Sequence, residues 1–453
     1  MKKLPLIARE LLTALSNQQR TLLGTLFLTG TMMLSVKAQQ PQVLSLPQAL
    51  SMATEHNKSV QKSRIQQKIA EEERKEKQEM SLPDVGFHAS YARITDITEY
   101  KHGLSGKMKT ATIPEIADLS STARLPLYNG GQIKYGIKKA KQEEQISALK
   151  VQKTVNDVKI EVVATFLGVF KLMELQKLIL ENIKEEEDRL KEIRAFKANG
   201  TVTGNEVLRA ELQLSDMQLR LLSNKRNIAI GLHDLQTLLE IPEENHLLLD
   251  TTSLISNALK IKDYQYYLQS GFQKEEMGIA KQEEAIRQTE HRLAKSNYYP
   301  KLSLIGSYGY NYPNYLFFPP GNHGYTMGKI GIEANFSLSD LYKNKSKMKL
   351  SDKRMEEEKA NTDILRNQIS EEVFKQYNRY EEIMDQLPLT EKAKKQATEN
   401  YRIIKLKYLN QLALVTDMLD ADNALLQARY NVVSTRIDAL MKHYELRYAA
   451  GLL

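Results

Sequence analysis

Long stretches of this chain place an apolar residue at every third or fourth position. The clearest stretch runs from Gln132 to Asn199, and no proline interrupts the chain between Leu127 and Ile241. Its apolar positions are Val155, Val158, Val162, Phe166, Val169, Leu172, Leu175, Ile179, Ile183, Leu190 and Ile193, which step by three and four with one gap of seven. This spacing predicts one face of an α-helix, on the order of 100 Å long at about 1.5 Å per residue.

The long segment turns back on itself, and the second half of the chain repeats the arrangement. Gly200 is predicted to end the first long helix, and 206–240 to return antiparallel to it. In the second half, 343–407 is the predicted long helix and 417–453 its return. Pro388 lies inside the second long helix, where we expect a kink. Two matching hairpins indicate one duplicated unit.

Four segments instead alternate apolar and polar residues, which predicts β-strands. They cover about 82–93, 119–128, 301–312 and 329–339, with predicted loops at 94–118 and 313–328. Strands of about nine to eleven residues can cross a bilayer when tilted, although a soluble hairpin has the same pattern. In lipid the sheet would have to close, and four strands are too few for a barrel, so several chains would share one.

These assignments divide the chain into a leader and two repeats. The first repeat covers 39–242 and opens with a helix predicted over Leu46–Met80. A polar connection covers 243–262. The second repeat covers 263–453 and opens with a helix predicted over Asp263–Ser296.

Residues 1–38 have the features of a signal peptide. Four basic residues lie between Lys2 and Arg20, and an apolar run follows over Thr21–Val36, ahead of a plausible cleavage site at Ala38. The run is short for a membrane-spanning helix, although a membrane anchor is the alternative. The leader holds five basic residues and one acidic residue, so its removal lowers the net charge from +8 to +4. The basic balance is therefore weak evidence for nucleic acid binding.

The sequence carries no recognisable reaction centre. The chain has no cysteine, and its eight histidines are scattered without metal-ligand spacing. It contains neither a phosphate-binding loop nor a nucleophile elbow. We therefore predict no catalytic residue, no metal site and no cofactor, and we expect the chain not to be an enzyme. With 26% charged residues it is also too polar for a helical membrane protein.

Asp417 and Asp420 stand at the start of the last helix. They are three residues apart, so they share one helix face. Carboxylates in the first turns of a helix are stabilised by the helix dipole, which is an ordinary structural role. A ring of carboxylates around a pore attracts cations and raises the pKa of each member. The spacing by itself favours the structural role.

Four stretches together resemble the TolC-like outer-membrane efflux proteins. They are Leu46–Ala53, Leu125–Gln132, Gly200–Ala210 and Asp417–Tyr430. No single stretch is decisive, but their order, duplication and spacing are specific, and the resemblance covers nearly the whole mature length.

The resemblance implies a fold, an assembly and a location. The implied fold is mainly α with a membrane β-barrel, in which a homotrimer forms a twelve-stranded barrel on a barrel of long helices. The implied location is the outer membrane of a Gram-negative bacterium, in contact with its lipid, with the helices in the periplasm and loops 94–118 and 313–328 outside. The implied partners are a periplasmic adaptor (membrane fusion) protein and an inner-membrane pump of the RND or ABC type, and no nucleic acid.

The resemblance also assigns roles to residues at the two hairpin tips. Asp417 and Asp420 match the pore-constricting aspartates. Tyr408 matches a gate tyrosine, Glu206 its acidic partner on the neighbouring hairpin, and Asn205 a second contact. The adaptor is expected to engage the tips, which contain Gly200, Thr201, Val202, Thr203, Gln411, Leu412, Ala413 and Leu414.

Two tip positions depart from the family pattern. Ala413 stands where some members carry an arginine that ties the tip shut, and Gln411 replaces the usual glycine. The closed state is therefore expected to depend more on Tyr408 and Glu206.

The function expected from these observations is a passive exit duct for efflux or for type I secretion. The alternative is a coiled-coil structural or adhesive surface protein without transport activity. The sequence names neither the cargo nor the class of pump.

Overall fold

The computed structural model of the chain describes residues 42–245, 247–250, 261–316, 321–410 and 412–453. The predicted signal peptide at 1–38 and most of the predicted connection at 243–262 lie outside the described residues.

Two long helical hairpins dominate the structure. The helices of the chain are α1 (Leu46–His56), α2 (Lys58–Glu79), α3 (Gln132–Ala198), α4 (Gly204–Leu239), α5 (Tyr264–Gly271), α6 (Glu275–Ser296), α7 (Asp340–Leu409) and α8 (Val415–Ala449). Helix α3 has 67 residues and α7 has 70, so each is about 100 Å long. Gly200 follows the end of α3 with a φ of +73°, the left-handed conformation that favours glycine after a helix.

The strands of the described residues form three small sheets. They are β1 (Gln42–Ser45), β2 (Asp84–Arg93), β3 (Ile97–His102), β4 (Ser105–Thr110), β5 (Glu115–Asn129), β6 (Leu247–Asp250), β7 (Lys301–Tyr312) and β8 (Tyr325–Asn335). The largest sheet is antiparallel in the order β2-β5-β7-β8. Strands β3 and β4 form a hairpin, and β1 pairs in parallel with β6.

The register of the four-stranded sheet separates an apolar face from a polar face. Leu304 of β7 is opposite Leu125 of β5 and Ile332 of β8, so apolar side chains gather on one side. This side is exposed on the single chain. The other side carries Arg124, whose Nη1 lies 2.5 Å from Oε1 of Glu333. Within the described residues, β2 and β8 are each paired on one side only.

In the part of the chain that the structure describes, the helices pack into three separate cores. The central core contains the fully buried Phe166 and Phe170 of α3, together with residues of α1, α4 and α8. A second core joins α5, α7 and α8 around Val373. The third core joins the two hairpin tips. Among the described helices, none is long and apolar enough to span a membrane.

Each repeat was predicted to begin with one continuous helix. Both predictions are wrong, because the structure has two shorter helices in each place, α1 and α2 in the first repeat and α5 and α6 in the second. Asn57 separates α1 from α2, where its Oδ1 accepts hydrogen bonds from the amides of Ser59 and Val60. Its Nδ2 donates to the carbonyl oxygen of Leu238 at 3.0 Å. Between α5 and α6, Gly271 packs closely on α7, where an added Cβ would lie 3.1 Å from Ile369.

The predicted loop at 94–118 is also wrong, since it contains the β3–β4 hairpin and the start of β5. In the second repeat, β8 begins at Tyr325, four residues before the predicted start at 329. Helix α7 continues through Pro388 without interruption, and the expected kink there stays a prediction.

We predict that Gly231→Ala destabilises the protein whereas Gly168→Ala does not. A Cβ at Gly231 of α4 would lie 2.6 Å from Cγ2 of the buried Val169, whereas a Cβ at Gly168 of α3 would meet no atom within 4 Å. Overpacking costs about 1–3 kcal/mol, and alanine gains about 0.5–1 kcal/mol over glycine within a helix. Thermal unfolding in detergent, followed by circular dichroism, measures both variants. Equal melting temperatures would contradict this packing.

Candidate functional site

The two hairpin tips lie side by side and share a small apolar core. We call this set the tip core; it contains Leu190, Ile193, Val207, Ala210, Tyr408, Val415, Met418 and Leu419. It combines residues of α3 and α4 from the first hairpin with residues of α7 and α8 from the second. The duplicated halves therefore meet at this end of the molecule.

Each return helix begins with a carboxylate that caps its own backbone. Oε2 of Glu206 accepts a hydrogen bond from the amide of Thr203 at 2.6 Å. Oδ2 of Asp417 accepts one from the amide of Leu414 at 3.0 Å. Thr203 can reciprocate with its hydroxyl, as in a capping box, but Leu414 has no side-chain oxygen. Both carboxylates thus have a local structural role.

Asp417 and Asp420 lie on the exposed side of α8. Met418, Leu419 and Ala421 on the other side of the helix are buried. Among the described residues, Asp420 has neither a hydrogen bond nor an ion pair, so no local contact accounts for its charge. Asp420 is therefore the more available of the two aspartates for a role in a pore.

Tyr408 is buried in the tip core and is not hydrogen-bonded to either of its expected partners. Its ring meets Phe196 edge-on, with centroids 6.0 Å apart. Its hydroxyl has no hydrogen-bond partner among the described residues. Burial raises the pKa of Tyr408, and the nearby Glu192 and Glu206 raise it further. Within one protomer, Glu206 caps α4 and Asn205 is exposed, so the side chains do not form the expected polar lock.

The residues expected to dock an adaptor line the outside of both tips. Gly200, Thr201 and Thr203 are exposed, whereas Val202 and Ala413 pack partly against the tip core. Leu412 and Leu414 are 76% and 64% exposed. Gln411 lies outside the described residues.

Sequence reasoning missed a buried group of charges next to the tip core. Glu186, Arg189 and Asp422 are 1%, 5% and 2% exposed. A signal was available, because the gap of seven in the apolar stripe runs from Ile183 to Leu190, and Glu186 lies inside it. The stripe continues through this region with charged side chains in place of apolar ones.

The described part of the chain contains no group of three His, Asp or Glu side chains that could hold a metal ion. No candidate for a bound cofactor follows from the side chains at the tips.

A sequence model described as outer membrane efflux protein matches residues 49–239 and 273–452. No curated protein matches the chain by sequence.

Solved structures share the fold at low sequence identity. The outer-membrane channel OprN has a TM-score of 0.76 at 15% identity, covering 90% of this chain and 89% of that chain. The outer membrane protein VceC from Vibrio cholerae has a TM-score of 0.74 at 17% identity, covering 90% and 96%. The outer membrane channel MtrE from Neisseria gonorrhoeae, in its open state, has a TM-score of 0.70 at 15% identity, covering 90% and 89%. The predicted fold class is confirmed.

We predict that Tyr408→Phe leaves the protein as stable as the wild type, or more stable by up to about 1–3 kcal/mol, because it removes a buried hydroxyl without a partner. Tyr408→Ala should instead cost about 3–5 kcal/mol, because it empties the tip core. Thermal unfolding in detergent compares the two. A loss of stability in Tyr408→Phe close to that in Tyr408→Ala would show that the hydroxyl makes a stabilising contact after all.

Proposed function

Because the chain belongs to the outer membrane efflux protein family, we propose that three copies of it form one conduit whose narrow end is the ring of hairpin tips. The chain is an outer-membrane channel through which efflux substrates leave the cell. The alternative of a coiled-coil structural or adhesive protein is not supported.

The observation that carries a barrel shared between copies is the four-stranded sheet, and the family membership supports three as their number. One face is apolar and exposed, the other carries ion-paired side chains, and β2 and β8 each lack a partner on one side within the described residues. Unpaired backbone groups are too costly in lipid, so the edges must be joined. Three copies joined β2 to β8 give twelve strands, with the apolar face toward lipid and the polar face toward the channel.

Asp417 and Asp420 are the proposed pore constriction. In a trimer each would contribute three carboxylates, and two stacked rings of like charge would favour cations over anions. Asp417 also caps α8, whereas Asp420 is exposed and has no local partner among the described residues. We therefore assign the larger share of the selectivity to Asp420.

The proposed gate contacts are Tyr408, Glu206 and Asn205. Because the ring of Tyr408 is buried, we assign it a different role from that of Glu206 and Asn205. Tyr408 acts by packing between the two hairpins, and its hydroxyl is secondary. Glu206 and Asn205 stand at the start of α4, where they can meet a neighbouring subunit.

The proposed partners are a periplasmic adaptor protein and an inner-membrane pump of the RND or ABC type. Leu412 and Leu414 are large apolar side chains exposed at the tip, and burial of such side chains stabilises a protein contact. Together with Gly200, Thr201, Val202, Thr203, Gln411 and Ala413 they form the proposed docking surface. The family is one of passive channels, and we propose that the chain itself catalyses no reaction and binds no cofactor.

We predict that Asp420→Asn lowers the ratio of cation to anion permeability more than Asp417→Asn does. The reason is that Asp420 is the carboxylate without a local contact. The reversal potential of the purified protein in planar bilayers under a salt gradient measures this ratio. Asp216→Asn on α4, a partly exposed carboxylate paired with Arg220, is the matched control and should behave as the wild type. A double variant, Asp417→Asn with Asp420→Asn, that keeps the full cation preference would refute the proposed constriction.

A further inference from the structure

Arg189 lies at the centre of the buried group of charges beside the tip core. Its Nη1 donates to Oε1 of Glu186 at 2.6 Å. Its Nη2 lies 3.3 Å from Oδ1 of Asp422 and donates to the hydroxyl of Tyr401 at 3.2 Å. These four residues come from α3, α7 and α8, so a single guanidinium joins three helices.

Asp422 is held from two sides. Oδ1 faces Arg189, and Oδ2 accepts a hydrogen bond from Nδ2 of Asn182 at 2.9 Å. Asp422 follows Asp420 by two residues and points to the buried side of α8, while Asp420 points to the exposed side. Any contact that fixes Asp422 therefore also fixes where Asp420 lies along the axis of α8 and in which direction it points.

We propose that Arg189 is a positioning residue that holds the first turns of α8, and with them the carboxylates of Asp417 and Asp420, against α3 and α7. The inference rests on the proposed constriction at these two aspartates. The contacts of Arg189 would form a clamp within each subunit, about one helical turn from the tip core. This clamp would be additional to the contacts expected between hairpins.

The charges of the cluster balance only if one carboxylate is neutral. Glu186, Arg189 and Asp422 are all buried, and an unpaired charge in the interior is costly. Oε2 of Glu186 is buried without a hydrogen-bond partner among the described residues. Burial raises the pKa of Glu186 to about 8; Asp422 also raises it, and Arg189 opposes the rise. At neutral pH Glu186 is therefore mostly protonated, which lowers the negative charge that is buried beside Arg189.

The direction of the pH effect follows from this shift. A carboxyl group whose pKa is raised in the folded state favours the fold at low pH, and this contribution is lost as the pH rises through the folded value. For Glu186 the contribution is full below the ordinary carboxyl pKa of 4.5 and is lost as the pH rises through about 8. The protonated fraction falls from about nine tenths at pH 7 to about one tenth at pH 9, for a pKa of about 8.

Other titratable groups lie near the cluster on α3 and α7. Among the described residues they include Glu185 on α3 and Tyr401, Lys405 and Tyr408 on α7, while Asp422 of α8 belongs to the cluster itself. Burial raises the pKa of Tyr401 and of Tyr408, so both hydroxyls stay neutral throughout this range. Within the cluster, Glu186 is the residue whose raised pKa falls between pH 7 and pH 9.

The test uses the full-length protein in planar bilayers at pH 6, 7, 8 and 9. The wild type should pass more current per channel as the pH rises, with a midpoint near pH 8. Glu186→Gln, which mimics the protonated carboxyl group, should keep the low conductance at every pH. Arg189→Met leaves Asp422 buried without its cation. The conductance of this variant at pH 6 should therefore already equal that of the wild type at pH 9. Arg194→Met is the matched control, since Arg194 is an exposed arginine of the same helix, and it should follow the wild type.

A second substitution separates the clamp from a general loss of packing. Arg189→Met combined with Asp422→Asn removes the unpaired charge, and the double variant should return toward the low conductance of the wild type at pH 6. The proposal is overturned if Arg189→Met matches the wild type, or if Glu186→Gln retains the pH dependence of the wild type. If Arg189→Met does not assemble, the pH dependence of the conductance of Glu186→Gln decides whether the proposal stands.

The Asp417→Asn and Asp420→Asn double variant distinguishes the two proposals. If it loses cation selectivity while Arg189→Met behaves as the wild type, the constriction stands and the clamp fails. If it keeps cation selectivity while Arg189→Met raises the conductance, the constriction fails at these aspartates, and the clamp then acts on a different part of the pore. That second result overturns the positioning role assigned to Arg189.

Discussion

Backbone N–H and C=O groups that face hydrocarbon must find partners within protein. This requirement decides what the four-stranded sheet can be. It has an exposed apolar face, and its outer strands β2 and β8 are each paired on one side only within the described residues. Joining copies edge to edge satisfies the backbone and places the apolar face against lipid. The helical hairpins then have to surround one axis, because each is covalently continuous with the sheet through β5 and β8.

Within the described residues, the central core and the tip core are filled by different kinds of side chain. The central core is filled by fully buried aromatic and aliphatic side chains such as Phe166 and Phe170. At the tip the apolar core is smaller, the tyrosine hydroxyl is unsatisfied, and the neighbouring interior holds Glu186, Arg189 and Asp422. Buried charges stabilise less than apolar packing but are sensitive to the loss of one partner.

The sequence was sufficient for features that depend on local patterns. The length of α3 follows from an unbroken apolar period, its end follows from Gly200, and β7 follows from alternation at Lys301–Tyr312. Features set by distant contacts were not predicted. Asn57 breaks the first helix and donates to a carbonyl 181 residues away, and Glu186 is buried in a group that includes Asp422 of α8. The β3–β4 hairpin was missed because its residues are mostly polar and nearly all exposed, so no apolar face marks its strands.

The central claim is that three copies of this chain enclose one channel that narrows at Asp420. Electron cryomicroscopy of the full-length protein in lipid nanodiscs tests it most directly. The account predicts a threefold particle in which β2 of one subunit pairs with β8 of the next, and in which the Asp420 carboxylates are among the side chains nearest to the axis at the tip. A particle with a different number of subunits, or one in which Asp420 points away from the axis, would contradict the account.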